Sequence, residues 1–272
     1  MPHKHVVMFS SGAGSWAAAR RVVDQYGSEN LYLVFSDVKG DNPSPHAGED
    51  EDNYRFLRRA AWDLGGQLVW LSEGRDIWQV FHDDRFLGNT RLANCSKFLK
   101  QRPAREWLEA NCDPAETTVY VGIDWSEAHR LPAIVRSYAP YTAVAPLCEP
   151  PYLDKDDILE QLHARGIKPP RLYDLGFAHA NCGGFCVRSG QAQFKNLLKV
   201  MPERYAYHEK NEQDLRTHLG KDVSILRDRR GGTTKPMTLK EFRERVENEQ
   251  INVDPYDIGG CGCFVEEENE AA

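Results

Sequence analysis

Short apolar runs alternate with amphipathic stretches through the first half of the chain. The apolar runs, read as strands, cover residues 5–9, 31–35, 67–71, 117–123 and 141–145. Helical spacing lies between them, at residues 15–26, 49–64, 94–109 and 126–138. Strands that alternate with helices in this way predict an α/β fold with an open, mostly parallel five-stranded sheet and helices on both faces.

The pattern changes after about residue 150, where apolar strand-like runs give way to helical spacing. Helices are expected over residues 154–165, 191–200 and 238–248, the last opening with a capping box of Thr238 and Glu241. We therefore divide the chain into a sheet domain, residues 1–150, and a helical, cysteine-bearing extension, residues 151–272. Its acidic end, around residues 266–270, is expected to be disordered.

Composition excludes some classes of protein. The 272 residues carry a net charge of −7 and 41% apolar side chains, which is a globular balance rather than that of a basic nucleic-acid coat. No apolar run approaches the ~18 residues of a membrane helix, and the start lacks a secretory signal pattern. We expect a cytoplasmic chain with no membrane partner. Seven cysteines in such a chain then suggest a metal or redox site rather than disulfides.

The loop after the first strand has the composition of an anion site. Its residues, SSGAGS, are small and lead directly into a helix, so backbone N–H groups and the helix dipole favour a phosphate there. The loop lacks the Walker lysine and is not a G-x-G-x-x-G motif. An ordinary tight turn is the alternative. The candidate nucleotide-binding residues are Ser10, Ser11, Gly12, Gly14 and Ser15.

This loop resembles the S-G-G-x-D-S motif of the PP-loop, or adenine nucleotide alpha hydrolase, superfamily, with Gly14 at the position of the aspartate. The form without the aspartate is similar to that of phosphoadenylyl-sulfate (PAPS) reductases. The resemblance implies a Rossmann-like sheet and an adenine nucleotide, either PAPS or ATP with Mg²⁺. Because the aspartate is missing, the resemblance favours an enzyme that binds an already activated nucleotide, such as PAPS, over one that cleaves ATP.

Other segments resemble the same family in the same order. Asp37 ends the second apolar run, where the family approaches the nucleoside. Residues 122–130 resemble G-x-R-x-x-E-S, with Gly122 and Glu127 in place, Asp124 at the arginine position and Arg130 as a substitute cation. An ordinary loop aspartate and a solvated helix start are the alternatives.

Two basic segments are candidate phosphate or substrate sites. Residues 94–103 resemble the reductase stretch C-C-x-x-R-K-x-x-P, and residues 227–235 concentrate four cations around two glycines. Both suit phosphate, sulfate or a nucleic-acid backbone, although a solvated basic surface would have the same composition. The candidates are Lys97, Lys100, Arg102, Arg227, Arg229 and Arg230.

Four of the cysteines form two glycine-bracketed pairs, Cys182 with Cys186 and Cys261 with Cys263. Four thiolates suit a [4Fe–4S] cluster or tetrahedral zinc. The resemblance to adenylyl-sulfate reductases implies an iron–sulfur cluster on Cys95, Cys182 and Cys186, with Cys261 or Cys263 as a fourth ligand or as a catalytic nucleophile. The alternatives are structural zinc on the two pairs, or no metal.

Three functions remain open at this point. The first is a PAPS reductase-like enzyme of sulfur chemistry, an oxidoreductase or sulfurtransferase that works with a thiol reductant or sulfur-donor protein. The second is ATP-dependent thiolation or another modification of a tRNA or DNA base. The third is a non-catalytic module that binds a nucleotide or nucleic acid and holds structural zinc. The resemblance further implies a homodimer.

Overall fold

A five-stranded parallel sheet forms the centre of the fold, in the order β3-β2-β1-β4-β5. The computed structural model describes residues 2–89, 92–229 and 232–260. The strands are β1 (Lys4–Met8), β2 (Leu31–Asp37), β3 (Gln67–Ser72), β4 (Thr117–Tyr120) and β5 (Thr142–Val144). The predicted α/β sheet is therefore confirmed.

Helices cover both faces of this sheet, as an all-parallel sheet requires. On β1, Val7 faces α1 (Ala13–Tyr26), α2 (Glu51–Leu64) and α7 (Lys155–Ala164). Its neighbour Val6 faces α5 (Arg102–Asn111) and α6 (Leu131–Tyr138) on the opposite side. Both valines are fully buried, because helices cover β1 on its two faces, and β1 therefore reads as an apolar run.

The remaining helices are short or lie in the second half of the chain. They are α3 (Ile77–Asp83), α4 (Asn94–Ser96), α8 (Arg171–Asp174), α9 (Gln191–Val200), α10 (Pro202–Leu219) and α11 (Leu239–Glu247). Tighter 3₁₀ turns span Pro114–Glu116, Trp125–Arg130, Pro146–Cys148 and Asn181–Gly184. None of the helices in the described ranges is long and apolar enough to cross a membrane.

The stretch expected as one helix over residues 94–109 is divided in the structure. A π-helical turn, Lys97–Gln101, separates α4 from α5. Such turns are rare and often lie at functional sites because they re-aim side chains. Here the turn directs Lys100 and Gln101 towards the sheet edge where β1 and β2 end.

The second half is not purely helical, contrary to the expectation. A small antiparallel hairpin joins β6 (Leu226–Asp228) to β7 (Lys235–Met237). The carboxylate of Glu212 on α10 accepts hydrogen bonds from Ile225 N at 2.9 Å and Leu239 N at 2.6 Å. This buried side chain therefore ties α10 to the hairpin and to the start of α11.

A third apolar cluster joins the two halves of the chain. It includes Trp78 and Leu99 from the first half and Phe185 and Phe194 from the second, all of them buried. The extension therefore packs on the first half through a shared apolar core, and it brings residues 173–184 to the edge where the strands end.

Candidate functional site

The candidate site lies at the carboxyl ends of β1 and β4, which are neighbours in the sheet. The chain leaves β1 towards β2 on one side and leaves β4 towards β5 on the other. A parallel sheet opens a crevice at such a switch point, and ligands of α/β proteins bind there. Two cavities meet at this position and share Ser10 and Asn181 as lining residues.

The first cavity lies over the ends of β1 and β2 and has mainly apolar walls. Phe9, Val34, Phe35 and Ala104 line it. Its polar lining comes from Ser10, Ser36, Glu49, Lys100, Gln101 and Asn181. Apolar walls with a few polar groups suit a flat heterocycle that is oriented by hydrogen bonds.

The second cavity contains the predicted phosphate loop and the segment after β4. Ser10, Gly12, Gly14 and Ser15 line it from one side, and Gly122, Glu127 and Arg130 line it from the other. Seven of the nine residues predicted to bind the nucleotide therefore lie around one cavity. Ser11 and Asp37 do not line it.

Two glycines pack against each other where the loop meets β4. A Cβ atom on Gly14 would lie 3.1 Å from the carbonyl oxygen of Gly122, and one on Gly122 would lie 2.8 Å from Ser15 Cα. A side chain at Gly122 would require the backbone to shift, whereas one at Gly14 would require the Gly122 carbonyl to give by a few tenths of an ångström. The loop and the end of β4 are therefore closely packed at this point.

The backbone of the loop offers hydrogen-bond donors to a ligand. Helix α1 begins after Gly12 without a side-chain cap. Within the described part of the chain, the N–H groups of Gly14 and Ser15 donate to no other atom. The hydroxyl of Ser15 lies 2.7 Å from Ser10 O and 2.9 Å from Gly12 O, so it braces the turn. The arrangement is that of an anion site at a helix start.

The two predicted residues outside the cavity have structural partners. Ser11 is buried and its hydroxyl accepts from Asn53 Nδ2 at 3.1 Å. The Asp37 carboxylate accepts from Tyr54 Oη at 2.8 Å and from Lys39 N at 3.0 Å. These bonds hold the loop and the end of β2 in place beside the first cavity.

The segment after β4 carries an arginine with unused hydrogen-bonding capacity. Asp124 caps the turn that follows it by accepting from Ser126 N at 2.8 Å. Arg130 pairs with Glu127, while its Nη2 is buried and has no partner among the described residues. Arg130 therefore has a free donor at the loop that could bind a phosphate.

A buried carboxylate stands beside the first cavity, at Glu49, which is only 3% exposed. Its Oε1 lies 3.8 Å from Lys100 Nζ and its Oε2 accepts from Gly183 N at 3.1 Å. Burial raises the pKa of Glu49 above its usual range, and the charge of Lys100 opposes this rise. The sequence did not mark Glu49 as a site residue, because it stands at the start of the expected helix over residues 49–64, among other acidic residues.

The same lysine reaches the cysteine turn, with Lys100 Nζ 3.6 Å from Cys182 Sγ. The turn is held tightly: Cys182 has a φ of +51°, and Gly183 packs on the buried guanidinium of Arg204. The thiol of Cys182 is thus placed near the first cavity by contacts from three separate segments.

The predicted metal centre has less support. Over residues 2–89, 92–229 and 232–260, no three His, Cys, Asp or Glu side chains come together in a way that could hold a metal ion. Cys95, Cys182 and Cys186 are half-buried there. Cys261 and Cys263, the predicted nucleophiles, lie outside the described residues. The described cysteines therefore do not by themselves build the expected cluster site.

The other predicted cations that the structure describes do not line the two cavities. Lys97 is 5.9 Å from the Phe98 ring centre, and Arg102 pairs with Glu106 at 2.9 Å. Arg227 belongs to β6, and neither it nor Arg229 is among the residues that line the crevice. Arg230 lies outside the described residues.

Seven residues that line the second cavity come from beyond residue 150 and carried no signal in the sequence. Lys155, Tyr173 and Asn181 are among them. Only the packing of the extension against the sheet brings them to the loop. Tyr173 lies in no motif and in none of the expected helices or strands, so the sequence gives no reason to select it.

Comparison with known proteins finds likeness among solved structures and none among family models or curated proteins. No family model matches the chain, and no curated protein matches it. Among solved structures, it is similar to PAPS reductase from Candida auris in its phosphate complex. The sequences are 15% identical, the match covers 67% of this chain and 82% of that one, and the TM-score is 0.42. A likeness at this level assigns no activity to this chain.

Proposed function

We propose that this protein is an adenine-nucleotide-binding enzyme of sulfur chemistry. The observation that carries the proposal is the switch-point crevice, where a glycine-built loop with free N–H groups adjoins a largely apolar cavity. A nucleotide has the matching chemistry, since its ribose joins a flat apolar base, which suits the cavity, to a charged phosphate chain, which suits the loop.

The first cavity is the proposed nucleoside site. Phe9 and Phe35 offer apolar surface to a purine, and Ser36 and Gln101 offer polar groups that suit its ring edge or the ribose. The second cavity is the proposed phosphate site, formed by the loop N–H groups and Arg130. This assignment gives each cavity a ligand group of matching polarity.

The contact between Gly14 and Gly122 supports a particular class of nucleotide. In the resembled family an aspartate at this point of the loop accompanies Mg²⁺-dependent cleavage of ATP. This chain has no such carboxylate, and a Cβ on Gly14 would lie 3.1 Å from the Gly122 carbonyl oxygen, which is a tight contact for any side chain. This favours a nucleotide that is already activated, such as PAPS or adenylyl sulfate, over adenylation by ATP.

The proposed chemistry is attack of a thiolate on the sulfur of the bound sulfonucleotide. A bond forms between the cysteine sulfur and the sulfate sulfur, the bond from that sulfur to the bridging oxygen breaks, and the nucleotide leaves with the electron pair on its phosphate. Cys261 and Cys263 remain the candidate nucleophiles by resemblance. The [4Fe–4S] cluster also rests on resemblance alone, and no step is assigned to it.

A binding experiment on the full chain tests the proposal. Calorimetric titration with adenylyl sulfate, PAPS and ATP, each with and without Mg²⁺, is expected to show tighter binding of the sulfonucleotides and no requirement for Mg²⁺. Release of sulfite in the presence of a dithiol is expected for the wild type and is lost when both Cys261 and Cys263 are changed to Ser. Magnesium-dependent release of pyrophosphate from ATP would instead point to the base-modifying alternative.

Iron, sulfide and zinc are then measured in the full chain, purified without oxygen, to decide which metal centre it holds. Iron and sulfide in equal amounts would support the cluster expected from the resemblance. Zinc without iron would favour the structural site on the two cysteine pairs, and the absence of both metals would favour a reaction carried by thiols alone.

A further inference from the structure

A tyrosine from the second half of the chain caps the phosphate loop. Tyr173, on α8, accepts a hydrogen bond at its Oη from Ala13 N at 3.0 Å. A Cβ on Gly12 would lie 3.5 Å from the same oxygen. The phenol oxygen therefore lies at the first turn of α1, on the wall of the second cavity.

The hydroxyl of Tyr173 is a hydrogen-bond donor without an acceptor among the described residues. Its oxygen accepts from Ala13 N, and its own O–H donates to no acceptor in the described ranges. Burial raises the pKa of Tyr173, so the phenol stays protonated and remains a donor at neutral pH. A buried hydroxyl donor normally has an acceptor, so this one points to a ligand that is not part of the chain.

The second cavity has other donors without an acceptor. The N–H groups of Gly14 and Ser15 and the Nη2 of Arg130 are also unused by the described residues. Asp124 Oδ1 accepts from Ser126, and Glu127 Oε1 pairs with Arg130. Several free donors around one cavity indicate an anion with several oxygens.

We infer that Tyr173 is a ligand-binding residue, whose hydroxyl donates a hydrogen bond to a phosphate or sulfate oxygen held at the start of α1. This inference rests on the proposed function and deepens it, since it makes the extension a part of the nucleotide site. The anion is bound between the two halves of the chain, with α1 and Arg130 on one side and Tyr173 on the other.

The alternative is that Tyr173 only caps the helix. The two roles predict opposite changes when the hydroxyl is removed. A donor to the anion contributes a charge-assisted hydrogen bond, so its loss weakens binding about tenfold or more. A simple cap occupies the N–H of Ala13, so its loss frees that group for the anion and leaves binding unchanged or tighter.

The test is calorimetric titration of the full chain with inorganic pyrophosphate and with ADP. The variant is Tyr173→Phe, and the matched control is Tyr207→Phe, whose hydroxyl accepts from Asn42 Nδ2 at 3.1 Å and does not line either crevice cavity. Thermal unfolding of each variant, measured in parallel, checks that both remain folded. We expect Tyr173→Phe to weaken both probes about tenfold or more and Tyr207→Phe to leave both affinities as in the wild type.

Equal or tighter binding by Tyr173→Phe would overturn the inference. A wild-type protein that binds pyrophosphate but no adenine nucleotide would contradict the proposed function alone, because the pyrophosphate comparison still decides the role of Tyr173. A wild-type protein that binds neither probe would overturn both.

Discussion

The buried carboxylate of Glu212 gives the fold a pH dependence that can be measured. Glu212 is 1% exposed, and its two oxygens accept from Ile225 N and Leu239 N. Burial is the larger influence and raises the pKa of Glu212 from its usual 4.5 to about 7, although these hydrogen bonds oppose the rise. The perturbation that isolates this group is Glu212→Gln, which keeps the shape and removes the ionisation.

The sign and size of the effect follow from the shift. Between pH 4.5 and about 7 the unfolded chain loses this proton while the folded chain keeps it. The free energy of unfolding therefore falls by about 1.4 kcal/mol per pH unit as the pH rises, or about 3 kcal/mol over the whole interval. The contribution is fully present below pH 4.5 and is lost as the pH passes the folded-state pKa.

Urea unfolding of the wild type and of Glu212→Gln, at several pH values between 4.5 and 8, measures this contribution. The comparison is needed because burial holds the pKa of His208 well below its usual value, which makes the fold less stable as the pH falls and so acts in the opposite direction. We expect the unfolding free energy of the wild type, minus that of Glu212→Gln, to fall by about 3 kcal/mol from pH 4.5 to 8. A difference that is independent of pH would refute the reasoning.

Two further substitutions test the site. Gly122→Ala places a Cβ 2.8 Å from Ser15 Cα, so the phosphate loop must shift. Nucleotide affinity, measured by calorimetry, is expected to fall at least about tenfold. Unchanged affinity would show that the loop is not the binding element. Lys100→Met leaves the buried Glu49 without its cation and is expected to cost about 3 kcal/mol of stability in urea unfolding. Adding Glu49→Gln to Lys100→Met is expected to recover part of that loss, and a double variant no more stable than the single one would contradict the pairing.

The sheet could be predicted from the sequence because its central strands, β1, β2 and β4, are mostly buried. Each of these strands is largely an apolar run, and a parallel arrangement requires helices between the runs. The hairpin Leu226–Asp228 with Lys235–Met237 was missed because its strands are three residues long and include charged side chains. Such short strands have no periodicity to detect.

The candidate site could be predicted only where its residues are adjacent in the chain. The loop at residues 10–15 has a local signature, whereas its close packing at Gly14 comes from the carbonyl of Gly122, which is distant in the sequence. Glu49 lies in an acidic segment that resembles a solvated one, and its burial depends on Lys100 and Gly183. Tyr173 reaches the loop only because the extension packs against the sheet, so no local pattern marks it.

The central claim, that the switch-point crevice binds an adenine nucleotide, is tested most directly by photolabelling with 8-azido-ADP and mapping of the labelled residues by mass spectrometry. We predict saturable labelling, prevented by unlabelled ADP, on peptides that contain Phe35 and Ser36 or Gln101, which line the proposed nucleoside cavity. Labelling that ADP does not prevent, or that falls on peptides remote from this cavity, would contradict the account.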